Sequence, residues 1–154
     1  MTMSNIEFET VPARPIAAVH RRVRVGDVST AWRPALDQVW AFLRRHPGVR
    51  TDGHNIFVYR HPMRPGDPME VDFGVEVTGP FEPEGEVGFA HTPAGQAATT
   101  RYVGPVENLS DVTAGIEAWC RARGRALGGA WWEIYGDPGD DPDVLDLQVF
   151  YLLA

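Results

Sequence analysis

Glu133 stands between Trp131 and Tyr135 in the stretch Gly129-Ala130-Trp131-Trp132-Glu133-Ile134-Tyr135-Gly136-Asp137. Read as a strand, this stretch turns Trp131, Glu133 and Tyr135 to one face and Trp132 and Ile134 to the other. The apolar pair is expected to pack against a helix. The second face holds one carboxylate between two rings, a combination expected at the floor of a pocket. With water excluded, the π-faces and the carboxylate both attract positive charge, so the fitting ligand is a cationic or polarised organic molecule. The competing reading is a half-buried edge strand whose Glu133 merely reaches water.

Other residues offer less. The fourteen basic residues are all Arg and there is no Lys, which removes Schiff-base chemistry and the phosphate-cradling Lys of a nucleotide loop. Cys120 is the single cysteine; it excludes an internal disulfide and a thiolate zinc cluster, and reads as a small core residue on a helix. His20, His46, His54, His61 and His91 lack metal-ligand spacing, and the neighbourhood of Asp52, His54 and His61 reads as a solvated loop. Ser4, Ser29 and Ser110 fall at the terminus or at helix caps, and no Gly-x-Ser-x-Gly elbow is present. Asp137, Asp140, Asp141 and Asp143 alternate with Pro138, Gly139 and Pro142 without calcium-loop spacing. Glu107 could cap the nearby helix or rim the pocket, and capping is the better reading. No metal and no cofactor are expected.

The elements that must position Glu133 belong to a chain of 154 residues, expected to form a single domain over 1–154. Hydrophobic residues at 44% and charged residues at 23% fall in the globular range, and no apolar run approaches the ~20 residues of a membrane span. The first residues lack the pattern of a secretory signal, so a cytoplasmic location is expected. The net charge of −7 argues against direct nucleic-acid binding and favours a cationic or neutral ligand.

The periodicity predicts a strand over Ile16–Val25 and a helix capped by Ser29 or Thr30, with Trp32, Leu36, Val39, Trp40 and Leu43 on one stripe. Strands over Asn55–Tyr59 and Glu70–Val77 follow, separated by a Pro- and Gly-rich connection. After a break at Gly79–Gly85 come a strand over Val87–His91 and a turn at Thr92–Gly95. A strand over Gln96–Tyr102 follows, then a helix capped by Ser110 and stopped by Gly124, with Val112, Ile116, Trp119 and Cys120 inward. The Glu133 strand and a last strand over Val144–Leu153 end the chain.

Each half therefore reads strand, helix, strand, strand. Ala18 and Ala97 lie 79 residues apart, as do Trp40 and Trp119; Tyr59 and Tyr135 lie 76 apart, as do Val71 and Leu147. The expected fold is α+β: a duplicated βαββ repeat with pseudo-twofold symmetry, repeat one over about 6–79 and repeat two over about 84–154. The expected sheet is antiparallel, with helices on one side and a central ligand groove. Under the second spacing Glu133 matches Phe57 and Tyr135 matches Tyr59, so both halves supply aromatic residues and only one supplies an acid.

Thr92-Pro93-Ala94-Gly95, Tyr102-Val103-Gly104-Pro105-Val106-Glu107-Asn108-Leu109, a helix with Trp119, and Trp132-Glu133-Ile134-Tyr135 resemble the GyrI-like small-molecule-binding domains, which also form the effector-binding halves of many AraC-type and MerR-type regulators. The resemblance covers nearly the whole chain. It implies a groove with a pocket glutamate, which maps onto Glu133 and in the regulators meets cationic aromatic drugs. Some stand-alone members hydrolyse cyclopropane-bearing alkylators with the glutamate implicated in catalysis. The family often has an aromatic residue where Val106 stands. No DNA-binding module precedes Ile16 in the sequence, so a stand-alone form is expected.

Three functions are weighed. In a binding protein, Glu133, Tyr135, Trp131, Tyr59 and Phe57, with Trp40, Trp119 and Phe89, take a flat, hydrophobic, cationic aromatic ligand. In a hydrolase, Glu133 activates water against an electrophilic substrate while Tyr135 donates to the developing charge. In an interaction module, the same groove docks a protein partner.

Overall fold

Alternation of apolar and polar residues makes strands here, and a 3.6-residue apolar repeat makes two helices. The computed structural model describes residues 2–3, 5–62, 64–137 and 139–154, apart from the side chains of Thr2, Met3 and Asp52. Ser4, Pro138 and the Asp52 side chain, weighed above, thus lie outside the described residues. In chain order the elements are β1 (Thr2–Met3), β2 (Glu7–Val11), β3 (Pro15–Val23), α1 (Val28–Arg45), β4 (Arg50–Arg60), β5 (Met69–Val77), β6 (Val87–His91), β7 (Gly95–Pro105), α2 (Leu109–Ala122), β8 (Leu127–Tyr135) and β9 (Val144–Leu153). They fall into two compact units: Ala13–Thr92, and Met1–Pro12 with Pro93–Ala154.

In the Ala13–Thr92 unit the strand order is β4-β5-β3-β6, with every pairing antiparallel. Phe73 on β5 lies opposite Phe57 on β4 and Val19 on β3. The Phe57 ring meets Phe73 edge-on at 5.0 Å, and Trp32 of α1 at 6.3 Å. The helix buries Ala35, Leu36, Val39, Phe42 and Leu43 at helical spacing. Ser29 and Thr30 do not cap it. A 3-10 turn over Val25–Asp27 runs straight into α1, Asp27 becomes the N-cap without a side-chain bond, and Thr30 donates its hydroxyl back to the Asp27 carbonyl at 3.1 Å. That turn also ends β3 at Val23, short of the expected Val25, which is 78% exposed. β4 is longer than expected because Thr51 repairs its irregular start: its hydroxyl accepts the Gly53 N–H at 2.7 Å and donates to the Glu76 carbonyl at 3.0 Å.

In the other unit β7 pairs with β9 and β9 with β8, again antiparallel, while β1 and β2 both line the far edge of β7. Val112, Ile116 and Cys120 of α2 pack with Ala98 and Tyr102 of β7 and with Leu147, Val149, Tyr151 and Leu153 of β9. Neither Ser110 nor Glu107 caps α2: its N-cap is Asn108, no side-chain bond caps it, and the 3-10 turn Val106–Asn108 leads in. Its end does follow expectation. Gly124 adopts φ +66°, its N–H bonds the Arg121 carbonyl at 3.1 Å, and the Arg125 N–H bonds the Cys120 carbonyl at 3.0 Å. This pair of bonds is a Schellman stop, whose left-handed residue is favourable for glycine.

Each unit contains a run of strand, helix, strand, strand, in which the first strand pairs with the third and the third with the second, and to which β6 adds in one unit and β1 and β2 in the other. The register refines the spacing. Asn55 opposite Val75, carried forward by 76, predicts Trp131 opposite Tyr151, as found. Ala18 opposite Gly74, carried by 79 and 76, predicts Ala97 opposite Phe150, yet Thr99 occupies that place. The observed register of that strand is two residues away from the one the spacing predicts, an even offset that keeps the same side chains on each face.

Candidate ligand site

A glycine-built irregularity sets the Glu133 strand in register. Leu127 pairs with Leu153, and the next pair is Trp131 with Tyr151, so β8 spends four residues where β9 spends two. Gly129 within that bulge has φ +85°, a conformation costly for any residue with a Cβ. Beyond it Glu133 lies opposite Val149 and Tyr135 opposite Leu147.

Glu133 is 3% exposed. The Tyr135 hydroxyl donates to its Oε1 at 2.8 Å, as residues two apart on one strand face can do. A buried carboxylate is costly unless hydrogen-bonded, and a bond to an ionised acceptor is among the stronger kinds. Trp131, two residues the other way, meets the Tyr151 ring edge-on at 6.4 Å. Tyr151 is 1% exposed and donates to Glu117 Oε1 on α2 at 2.9 Å. Burial, and then the bond to Glu117 and its negative charge, push the Tyr151 hydroxyl well above the usual phenol range. It remains a neutral donor at any physiological pH.

The face assignment differs from expectation in one respect. Trp131 and Tyr135 pack against the same cluster that α2 covers, whereas Trp132 stacks flat on Phe150 on the opposite face, with centroids 5.2 Å apart and planes at 6°. The helix therefore shares its face with the carboxylate. The Tyr135 bond explains this, since it lets the acid sit beside apolar neighbours with an oxygen satisfied.

The sequence-predicted aromatic residues divide between the units. Glu133, Tyr135 and Trp131 are brought together on β8. Trp119 lies on α2, with Phe8 of β2 at 4.7 Å and the Arg123 guanidinium 3.9 Å over its ring. In the Ala13–Thr92 unit, Phe57 and Tyr59 share the α1-facing side of β4 and are both buried. Trp40 donates its Nε1–H to Asn55 Oδ1 at 3.1 Å and lines an open depression of about 570 Å³ with Pro47, Arg50, Thr51 and Gly53. Phe89 meets Phe81 at 5.7 Å and His91 at 4.7 Å, both edge-on.

Two charged groupings escaped the sequence reading. One is Tyr151–Glu117, whose signal was the parity of Tyr151 with Leu147 and Val149 on the last strand. The other lies on β3, β4 and β5: His20 Nδ1 meets Asp72 Oδ1 at 2.7 Å, its Nε2 meets Glu70, and Arg60 donates to Asp72 Oδ2 at 3.0 Å. Burial works against protonating His20, but the bonds to Asp72 and Glu70 and their charges outweigh it and hold its pKa above the ordinary value. Cys120 is buried, and burial raises its thiol, so it is no activated nucleophile. Among the described residues no group of three or more His, Cys, Asp and Glu converges as a cation cage, and no helix is long and apolar enough to cross a membrane.

Antiparallel strands carrying one helix per unit make this an α+β fold. Residues 4–150 match the family model of the GyrI-like small molecule binding domain, and the chain belongs to that family. Several solved structures share the fold. The EcmrR C-terminal domain is 19% identical with a TM-score of 0.77, covering 97% of each chain; against the EcmrR–DNA complex the chain spans 57% of the longer EcmrR polypeptide. SAV2435 bound to tetraphenylphosphonium is 5% identical with a TM-score of 0.70, covering 98% of this chain and 94% of that one. A hydrolase from Listeria innocua is 13% identical with a TM-score of 0.65, covering 97% and 91%. No curated protein sequence matches the chain.

Proposed function

We propose that this protein binds hydrophobic, aromatic, cationic small molecules on the face formed by Glu133, Tyr135 and Trp131, without chemistry of its own as the primary activity. The observation that carries the reading is a carboxylate 3% exposed whose Oε1 is held by a tyrosine hydroxyl and flanked by an indole. In a low-dielectric setting such an acid attracts a delocalised cation far more than water-exposed acids do, and a large organic cation loses little hydration on entry. The tetraphenylphosphonium named for SAV2435 is of this class. Trp119, on α2 of the same unit, is a further proposed ligand contact. The acidic balance of the chain fits a cytoplasmic binder of cations with no direct contact to nucleic acid.

The test is a tryptophan-fluorescence titration with tetraphenylphosphonium and with neutral triphenylphosphine oxide. The cation is expected to bind at least about tenfold more tightly, and Glu133→Gln to abolish that preference. Equal binding of both by the wild type, or a preference that survives Glu133→Gln, rejects the charge-based reading.

The hydrogen bond between Tyr135 and Glu133 also favours a second reading, hydrolysis of an electrophilic small molecule. Glu133 takes a proton from water as its oxygen attacks a strained ring carbon, that ring bond breaks, and its electron pair is protonated on the substrate. Turnover of a cyclopropane-bearing alkylator that disappears in Glu133→Gln supports it. Binding without product retires it.

A further inference from the structure

The tyrosine–carboxylate arrangement occurs twice on one face of the unit that holds Glu133. Tyr135 donates to Glu133 at 2.8 Å, and Tyr151 donates to Glu117 at 2.9 Å. The pairs are neighbours in register: Glu133 lies opposite Val149, and Tyr151, two residues further along β9, lies opposite Trp131. Diagonal neighbours on one sheet face have Cα atoms about 7–8 Å apart, within reach of aromatic side chains. Starting from Glu133, the face therefore runs through the Trp131–Tyr151 ring contact to Glu117.

Glu117 differs from Glu133 in its setting. It is half-buried on the flank of α2, one residue past the core residue Ile116. Tyr151 itself is fully buried, and its hydroxyl fixes the position of one Glu117 oxygen. A side chain held in place at a partly open edge has lost its rotamer entropy before any ligand arrives, which favours binding.

We infer that Glu117 is a second anionic anchor of this ligand face, so that the protein selects aromatic ligands bearing two cationic centres over those bearing one. This rests on the small-molecule reading above and names its specificity: Glu133 receives the ring cation, and Glu117 receives a second positive group carried beyond the rings. Each carboxylate keeps its tyrosine donor when a cation approaches, because a carboxylate has acceptor capacity for both.

Ethidium and propidium form a matched pair for the test, since they share one phenanthridinium ring and propidium adds a quaternary ammonium arm. Both are titrated at low salt into wild type, Glu117→Gln, Tyr151→Phe and Glu133→Gln, with dye fluorescence as the readout. The wild type is expected to prefer propidium by about tenfold. Glu117→Gln is expected to bring that preference within about twofold by weakening propidium far more than ethidium. The amide oxygen introduced by Glu117→Gln can still accept the Tyr151 hydroxyl, so a purely structural role for the pair would leave the dye preference intact. Tyr151→Phe is expected to reduce the preference partially, and Glu133→Gln to weaken both dyes. A wild type without preference, or a Glu117→Gln variant whose preference is unchanged or whose ethidium affinity falls equally, overturns the inference while ethidium binding leaves the small-molecule reading standing. If neither dye binds the wild type, both fall.

Discussion

Tyr135→Phe removes one oxygen atom and little else. That oxygen donates to Glu133 Oε1 at 2.8 Å, and Glu133 is 3% exposed. Loss of a hydrogen bond to a charged group costs about 1.5–3 kcal/mol, because the acceptor stays buried. For a domain of this size each kcal/mol shifts Tm by about 2–4 °C, so the variant is expected to melt roughly 3–12 °C below wild type. Glu133→Gln retains a carbonyl oxygen for the tyrosine and removes a buried charge, so its cost is expected to be the smaller of the two. In the Glu133→Gln background, Tyr135→Phe should cost only about 1 kcal/mol, the value for a neutral hydrogen bond. Urea denaturation of wild type, both single variants and the double variant at pH 7 reads all four values. A Tyr135→Phe variant within about 0.5 kcal/mol of wild type, a change no larger than that of an ordinary surface substitution, or fully additive single effects, would refute the claim that this bond sustains the buried acid.

The remaining predictions probe the scaffold. Trp132, 2% exposed and stacked on Phe150, is expected to cost about 3–5 kcal/mol on conversion to Ala, read by denaturation and near-UV circular dichroism. Gly124→Ala places a Cβ at φ +66° in the stop of α2 and is expected to destabilise by about 1–2 kcal/mol in the same denaturation assay. His20 has a folded pKa raised above the ordinary value of 6.5. Its contribution is therefore full below the unfolded pKa and is lost as pH rises through the folded one. The Tm difference between wild type and His20→Gln is expected to be largest near about pH 6 and to shrink toward about pH 9; a difference that grows over that range reverses the sign of the argument. Cys120, buried with a raised thiol, should resist alkylation in the native protein and label only on denaturant-induced unfolding.

The strand and helix order was legible because apolar period survives tertiary context at Val71, Phe73, Val75 and Val77 and at Leu36, Val39 and Leu43. Element starts were less so. Both helices open through a 3-10 turn without a side-chain cap, so Ser29 and Ser110 carried a signal that the backbone did not use. The two-residue offset between the expected and observed register of β7 was also hidden, since an even offset leaves the hydrophobic pattern unchanged. At the site, alternation placed Trp131, Glu133 and Tyr135 on one face, but it could not say that α2 covers that same face. The Tyr151–Glu117 bond joins residues 34 apart in sequence; parity puts Tyr151 on the face of Leu147 and Val149 but does not point to Glu117 as its partner. His20 looked like a scattered histidine for the same reason: its partners Glu70 and Asp72 arrive only through the pairing of β3 with β5.

A crystal structure of the tetraphenylphosphonium complex tests the role of Glu133 most directly. The phenyl rings are expected against Trp131 and Tyr135, with the phosphorus within about 6 Å of the Glu133 carboxylate, the range over which ring and charge attract a cation. A cation bound away from Glu133, or crystals soaked to saturation that show none on this face, would contradict it.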